Sequence, residues 1–306
     1  MILALRALGV GDLATAVPAL RGLRTAFPGE TLALAAPAWL TPLIDLIGVV
    51  DRIVPTEGLD RGGLPVEAPA LAVNLHGSGP ESHRLLRDAQ PAKLWAFANA
   101  AARHLDGPAW DEDDHEVHRW CRLLGHYGIA AAESDLSLAI PAAAVTDGLT
   151  IIHPGAKSPS RRWPPTRYAA VARELRSAGH RVVVTGSAAE RDIAVRVATG
   201  AGLDARAALS TGLDELAGLV AGARLLISGD TGVAHLATAY GTPSVVLFGP
   251  MSPARWGPPP ERPCHRAIWH GNRSEPGDRP EPGAHPALLE IDTAEVLTAA
   301  TEVDPR

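Results

Sequence analysis

The strongest constraint on the fold is an apolar run, Leu225-Leu226-Ile227, that breaks into Ser228-Gly229-Asp230-Thr231-Gly232 and then into an amphipathic segment from Val233 to Tyr240. The run reads as a buried parallel strand and the segment after it as a helix. Gly229 and Gly232 give the turn a backbone freedom that residues with a Cβ lack. Thr231, Gly232 and Val233 then offer unpaired amides at a helix N-terminus. Free donors and the helix dipole both favour an anion at such a place. The stretch therefore points to a phosphate-bearing ligand held at the carboxyl end of a parallel sheet.

The same plan occurs in both halves of the chain. The first half opens with a strand, Ile2 to Leu5, a glycine turn, and a helix from about Asp12 to Phe27 that Pro18 should kink. Strands are expected over Thr31–Ala35 and Ala70–Leu75, and a helix over Glu112–Tyr127 with acids in its first turn. The second half restarts at Thr150–His153. Helices are expected over Thr166–Ala178, Ala188–Thr199 and Asp214–Ala221, with strands at Arg181–Thr185 and Ser244–Phe248. Gly257 to Pro286, rich in proline and charge, reads as an extended loop. Strands alternating with helices give an α/β chain with a parallel sheet in each half. The expected domains are 1–145 and 146–306, joined near Ile140–Gly148, with a closing helix at about 292–303 that packs back on the first domain. Two such domains leave a cleft between the carboxyl ends of their strands, where ligands of open α/β sheets bind.

Charge and cysteine content narrow the function classes. The 306 residues carry a formal net charge of −6 and no lysine–arginine cluster, which argues against backbone-driven nucleic-acid binding. Cys121 and Cys264 are the only cysteines, so neither a disulfide framework nor a zinc spacing is present. No apolar run is long enough to span a membrane, and Arg6 and Asp12 interrupt the first strand too early for a signal peptide. The expectation is a cytoplasmic enzyme or binding protein, a monomer or homodimer, with no metal and no bound cofactor.

Several polar groups fall at strand ends. Leu8-Gly9-Val10-Gly11-Asp12-Leu13-Ala14 fits a dinucleotide fingerprint in part, but the second strand ends Ala35-Ala36-Pro37 without the ribose-binding acid that NAD requires. Asp12 itself reads in two ways. It is either an N-cap or a carboxylate that accepts a proton from a sugar hydroxyl, and one residue can do both. His153-Pro154-Gly155-Ala156-Lys157 and Ser160-Arg161-Arg162-Trp163-Pro164 form a second polar loop. Lys157, Arg161 and Arg162 there are either diphosphate ligands or a solvated basic loop. Asp230 and His235 belong to the opening motif, His235 being a ligand or a hydrogen-bonded helix residue. His76 and Ser78 are either acceptor-side groups or turn residues. His115, Glu116 and His118 lack a zinc-protease spacing and read as a polar helix face.

Taken together, Gly11-Asp12-Leu13, Pro18-Ala19-Leu20, His153-Pro154-Gly155-Ala156, Arg161-Arg162-Trp163-Pro164, Ser228 to His235, Gly241-Thr242-Pro243 and Phe248-Gly249-Pro250 make the chain resemble glycosyltransferase family 9, the heptosyltransferases. That resemblance covers nearly the whole length. It implies a GT-B fold of two Rossmann-like doubly wound domains facing across a cleft. It also implies inverting, metal-independent transfer of a heptose or related hexose from a nucleotide-diphosphate sugar, ADP-type favoured, to a hydroxyl of a sugar-containing acceptor. The acceptor is expected to be a natural-product or cell-envelope glycoside. The resemblance makes Asp12 the general base. It gives Asp230, Thr231 and Gly232 to the donor's sugar and diphosphate and Arg161 to phosphate, and it matches His235 to the family's histidine. Lys157 and Val233 join the donor side, and Gly11, His76 and Ser78 the acceptor side, as expectations from their positions in the loops and turns alone. Around Arg206–Thr211 there is no acid of the kind some relatives use on the ribose, and Asn74-Leu75-His76-Gly77 departs from the family's usual Asp-Leu-x-Gly. An epimerase or phosphorylase of the same architecture, a nicotinamide-dependent oxidoreductase and a non-catalytic sugar-nucleotide sensor stay open on the residues alone.

Overall fold

The computed structural model describes residues 1–59, 63–66, 68–142, 148–272 and 283–304. It divides into two compact units, Met1–Ala139 and Ile140–Arg306. Most of the expected junction, residues 143–147, and the middle of the proline-rich stretch, residues 273–282, lie outside the described residues.

In the first unit β1 (Ile2–Leu5), β2 (Leu32–Ala36), β3 (Arg52–Pro55), β4 (Leu71–Asn74) and β5 (Leu94–Trp95) form one sheet in the order β3-β2-β1-β4-β5. Every pairing is parallel. β1 is buried along its whole length, as a central strand covered on both faces must be. Leu3 and Leu5 pack with Ala33, Ala35, Val54 and Ala72 on one face, against Leu85 and Leu86 of α4 (Glu81–Asp88). α1 (Val10–Thr15) and α2 (Val17–Ala26) link β1 to β2, and α3 (Thr41–Ile47) lies between β2 and β3. α5 (Glu116–His126) packs on α2.

The second unit is a six-stranded sheet of β6 (Thr150–His153), β7 (Val182–Gly186), β8 (Ala208–Ser210), β9 (Leu225–Gly229), β10 (Ser244–Phe248) and β11 (His265–Trp269). Their order is β11-β10-β9-β6-β7-β8, again all parallel. Side chains alternate across the sheet. Ile152, Val184, Leu225, Ile227, Val245 and Leu247 face Trp163 and Tyr168, while Val246 and Phe248 face Ala234, Trp256 and Trp269. The helices are α6 (Pro165–Ser177), α7 (Arg191–Gly200), α8 (Leu213–Ala221), α9 (Gly232–Tyr240), α10 (Pro253–Trp256), α11 (Pro286–Glu290) and α12 (Thr293–Val303). α12 packs on α6, β10 and β11 of its own unit.

In each sheet the strand order reverses once, between β1 and β4 and between β6 and β9. The carboxyl ends of the strands at such a switch point are where open α/β sheets bind ligands.

The structure corrects the sequence-based expectations in several places. The helix expected over Asp12–Phe27 is two helices broken at Ala16, with Pro18 in the first turn of the second. Proline has no amide to give the carbonyl four residues back, so the chain ends one helix and starts another instead of bending a single one. The acids Glu112–Asp114 precede α5, which His115 caps by accepting the Val117 amide at 3.3 Å. The stretch read as an extended loop from Gly257 contains β11. This edge strand takes its hydrogen bonds from β10, in register from Ser244↔His265 to Phe248↔Trp269, rather than from its own propensity. β3, β5 and β8 are short strands that the periodicity did not reveal.

Candidate active site

The switch point of the second unit carries the motif that opens α9. Thr231 is the N-cap, in extended conformation, and makes no side-chain cap bond. The Asp230 amide is used by the sheet, donating to Leu247 O at 3.0 Å. The amides of Thr231, Gly232 and Val233 meet no acceptor among the described residues, the arrangement of an anion site on a helix of nine residues. The Asp230 side chain is buried, and Arg161 Nη1 donates to its Oδ2 at 3.1 Å.

Arg161 reaches Asp230 because two glycines make room for its loop. A Cβ on Gly229 would stand 2.9 Å from the Arg161 carbonyl oxygen, and one on Gly249 would stand 3.3 Å from the Ser160 carbonyl oxygen. Two residues on, Trp163 anchors the loop. Its ring is fully buried, edge-on to Tyr168 at 4.9 Å, and its Nε1 donates to Ile291 O at 3.2 Å. The Arg161-Arg162-Trp163 sequence thus joins a cation at the motif to an aromatic anchor in the core. Arg162 Nε donates to Ala156 O at 2.8 Å, which closes the loop on itself. Lys157 stands exposed on that loop.

Beside it lie two further titratable groups. His153 is buried at the end of β6, and its Nδ1 shares a 2.9 Å hydrogen bond with Thr185 Oγ1 at the end of β7. Burial pushes the His153 imidazole below its ordinary range, against the pull of Glu190. Glu190 Oε2 accepts from the Ser187 amide at 2.9 Å and the Ser187 hydroxyl at 2.8 Å. Burial opposes the Glu190 charge, but those two bonds together with His153 and Arg162 hold its carboxyl below the usual value. Gly155 has no Cβ because the Glu190 carboxylate occupies that space, 2.3 Å from where a Cβ would stand.

The switch point of the first unit is organised around Arg6. Its side chain is wholly buried at the end of β1 and lies over the Trp120 ring, 4.5 Å from the centroid. Nε donates to Asp12 O at 2.8 Å, Nη1 to Leu75 O, and Nη2 to Glu116 Oε1 at 2.9 Å and Thr15 Oγ1 at 3.3 Å. Glu116 also pairs with Arg119 and accepts from Trp120 Nε1 at 3.0 Å. Burial works against its charge, and the two guanidinium groups outweigh it, so the carboxyl lies below its usual range. Asp12 stands in the first turn of α1. Its Oδ2 accepts the Gly9 amide at 3.1 Å, and its Oδ1 lies 3.6 Å from Arg6 Nη2. The N-cap is therefore Gly9, and Asp12 caps from three residues further on. Its side chain keeps 29% of its surface exposed, enough for a carboxylate oxygen to meet a ligand. His76 Nδ1 accepts the Ala7 amide at 3.2 Å, which leaves the neutral ring's proton on Nε2. Burial first, then the Arg6 charge, push the His76 imidazole down to about 4, against an opposing pull from Asp12.

The structure brings Arg161 to Asp230 and places Thr231, Gly232 and Val233 at the free end of α9. His235 lies a turn along α9, edge-on to Trp256 at 6.0 Å. Ser78 gives its carbonyl to Asn99 Nδ2 at 2.8 Å, and Gly11 sits in the first turn of α1. Glu116 is not on a polar helix face but inside the unit, because Arg6 and Arg119 bury it; His118 does face outward, 2.7 Å from Glu133. Among the described residues no three histidine, cysteine or acidic side chains gather as a metal site. Nor is any described helix long and apolar enough to cross a membrane. Reading the sequence missed Arg6, Glu116 and Glu190. An arginine ending an apolar strand needs buried partners, and Ser187-x-x-Glu190 is a capping-box spacing; both signals were present.

The family model for glycosyltransferase family 9 (heptosyltransferase) matches residues 103–277. The chain is 27% identical to lipopolysaccharide heptosyltransferase 2 of Salmonella typhimurium, over 94% of each protein. Its fold superposes on the Escherichia coli ADP-heptose lipopolysaccharide heptosyltransferase II with a TM-score of 0.77, at 22% identity, covering 99% of this chain and 98% of that one. It also superposes on an E. coli heptosyltransferase solved with ADP, with a TM-score of 0.72 at 17% identity over 97% and 98% of the two chains. The two Rossmann-like units are thus those of the GT-B fold.

Proposed function

The chain belongs to glycosyltransferase family 9, and from that premise we propose that it moves a heptose, or a related hexose, from an ADP-linked donor to a hydroxyl of a sugar-containing acceptor, with inversion and without a metal. The observation that carries this reading is the β9–α9 turn, where open amides and Arg161 converge beside the buried Asp230 carboxylate. Amides and a guanidinium are suited to a diphosphate, and a carboxylate is suited to sugar hydroxyls.

In this reading unit 2 binds the donor and unit 1 the acceptor. The amides of Thr231–Val233, with Arg161 and Lys157, hold the diphosphate and stabilise the charge that grows on it as it leaves. Positioned donors of this kind are each worth about 2.7–4 kcal/mol in transition-state stabilisation. They supply the positive charge that a metal would otherwise bring. Asp230 accepts hydroxyls of the transferred sugar. Glu190, next to the His153-Pro154-Gly155 turn, has carboxylate lone pairs left for the ribose hydroxyls, the role for which Arg206–Thr211 offered no acid. Asp12 takes the proton of the acceptor hydroxyl as its oxygen attacks the anomeric carbon. The bond from that carbon to the diphosphate breaks, and its electron pair leaves with ADP. His76 and Ser78 line the acceptor side, and His235 supports the donor side. The names of the relatives, lipopolysaccharide heptosyltransferases, favour ADP-heptose as the donor and a cell-envelope saccharide as the acceptor.

The test is a thermal-shift panel of ADP, GDP, UDP, dTDP and NAD, followed by ADP release from ADP-heptose with a heptose-deficient lipopolysaccharide core as acceptor. A ligand at a hundredfold over its Kd stabilises by about 2.7 kcal/mol, so ADP alone should give a clear shift. Turnover should survive EDTA. A shift with NAD in place of ADP, or a strict need for a divalent ion, defeats the reading.

A further inference from the structure

We propose that Arg6 is the positioning residue of the acceptor-side site: its guanidinium locks the Asp12 turn, the end of β4 and α5 into one unit, and it acts on the reaction through Asp12. This rests on the reading of Asp12 as the base.

The geometry carries the argument. Three segments far apart in sequence end at one buried side chain. The Asp12 turn is held by its backbone carbonyl at 2.8 Å and by Thr15 Oγ1 at 3.3 Å. The residue before His76 is held through the Leu75 carbonyl. α5 is held through Glu116 at 2.9 Å and through the Trp120 ring. Thr15 Oγ1 in turn donates to the same Asp12 carbonyl at 2.9 Å, so that oxygen is fixed from two sides. Asp12 Oδ2 is taken by the Gly9 amide, which leaves Oδ1, the oxygen 3.6 Å from Arg6, as the one to meet an acceptor.

Stability alone is a poor reason for this arrangement. Removing a guanidinium and a carboxylate from water is costly, and well-packed apolar residues often replace a buried ion pair with no loss. An arginine does what an apolar residue cannot: its planar fork fixes several acceptors at set angles. The charges agree. Glu116 is shared between Arg6 and Arg119, so it balances only one of them, and Asp12 is the other carboxylate within reach.

The experiment is a double-mutant cycle in the full chain. Arg6→Met, Arg6→Lys and Asp12→Asn are made singly, and each Arg6 change is combined with Asp12→Asn. ADP release from ADP-heptose is followed with the heptose-deficient lipopolysaccharide core as probe acceptor, and ADP affinity is measured by calorimetry. Arg6→Met should lower kcat about a hundredfold while the donor KM and ADP Kd stay within twofold; Arg6→Lys should recover about tenfold of that loss. In the Asp12→Asn background either Arg6 change should cost less than twofold, because a residue acting through Asp12 has nothing left to position. An equal loss in both backgrounds marks Arg6 as merely structural and overturns the proposal, as does an unchanged kcat in Arg6→Met. Should Arg6→Met not fold, the cycle with Arg6→Lys decides alone, with about tenfold expected in the native background and none beside Asp12→Asn. Full activity of Asp12→Asn by itself removes the base reading, and the role of Arg6 falls with it.

Discussion

Arg161 and Asp230, 69 positions apart in the chain, meet in a 3.1 Å ion pair at the start of α9, with Asp230 buried and Arg161 partly open. The pair sets a cation beside three open amides. Arg161→Met should therefore raise the ADP Kd about 10- to 100-fold, in line with about 1.5–3 kcal/mol for a hydrogen bond to a charged group. Calorimetry checks this directly, and an ADP affinity unchanged by the substitution would place the diphosphate elsewhere.

Asp12→Asn keeps the size of the side chain and an oxygen for the Gly9 amide, so the turn should stay folded. Loss of a general base costs about 10²–10⁴-fold in rate. The expected result is a fall of that size in kcat with donor affinity intact. A kcat within threefold of the native value would take Asp12 out of the chemistry.

Gly229→Ala should cost both stability and donor binding. The new Cβ falls 2.9 Å from the Arg161 carbonyl, so the loop must move, and overpacking of this kind costs about 1–3 kcal/mol. Gly125 in α5 is the control, since a Cβ there meets nothing within 4 Å. Gly125→Ala should be neutral or stabilise by about 0.4–1 kcal/mol. Urea unfolding of the two variants separates them, and equal effects would refute the seating role of Gly229.

Acid should weaken the fold from near neutrality downward. Burial holds His76 and His265 down to about 4, with nearby arginines adding to the effect, and burial is also the main cause that lowers His83, His104, His153 and His180. An unfolded histidine takes its proton near 6.5, so between about 6.5 and 4 the unfolded chain binds more protons and stability falls with pH. Glu116 and Glu190, held below 4.5 despite burial, extend that loss further into acid. Urea midpoints at pH 7.5, 6 and 5 should descend in that order; a flat series would contradict the buried neutral histidines.

His76 reports the field of Arg6. In the native chain its ring should titrate near 4, and in Arg6→Met the midpoint should rise, since burial remains but the second cause is gone. Arg6→Lys keeps the charge and should leave the midpoint low. Carbon-detected NMR of the ring reads all three. Identical midpoints in the native chain and Arg6→Met would show that Arg6 exerts no field there.

The β9–α9 turn was legible because its pattern is local. Glycines, a capping threonine and an apolar strand stand next to each other in Leu225–His235, and the structure places them as the spacing implies. β10 was legible for the same reason, its Val245–Phe248 run lying between turn signals, and β6 through Ile151-Ile152 just before the His153-Pro154-Gly155 turn. β11 was not, because an edge strand borrows its ladder from β10 and carries little pattern of its own. Glu116 was misassigned because its environment is made by Arg6, 110 positions away, and no helical periodicity reports a partner at that distance. The break at Ala16 was half legible: Pro18 announced a disturbance, but whether a helix bends or restarts depends on what the two pieces pack against.

That break has a mechanical consequence. Asp12 rides on a six-residue helix that ends before the ten-residue α2 begins. A push on the Asp12 turn therefore reaches the scaffold through the buried Arg6 side chain and α5 rather than along one continuous helix. On the reading of Asp12 as the base, substitutions in that short segment should change acceptor choice while the buried Leu20 and Leu23 keep their packing.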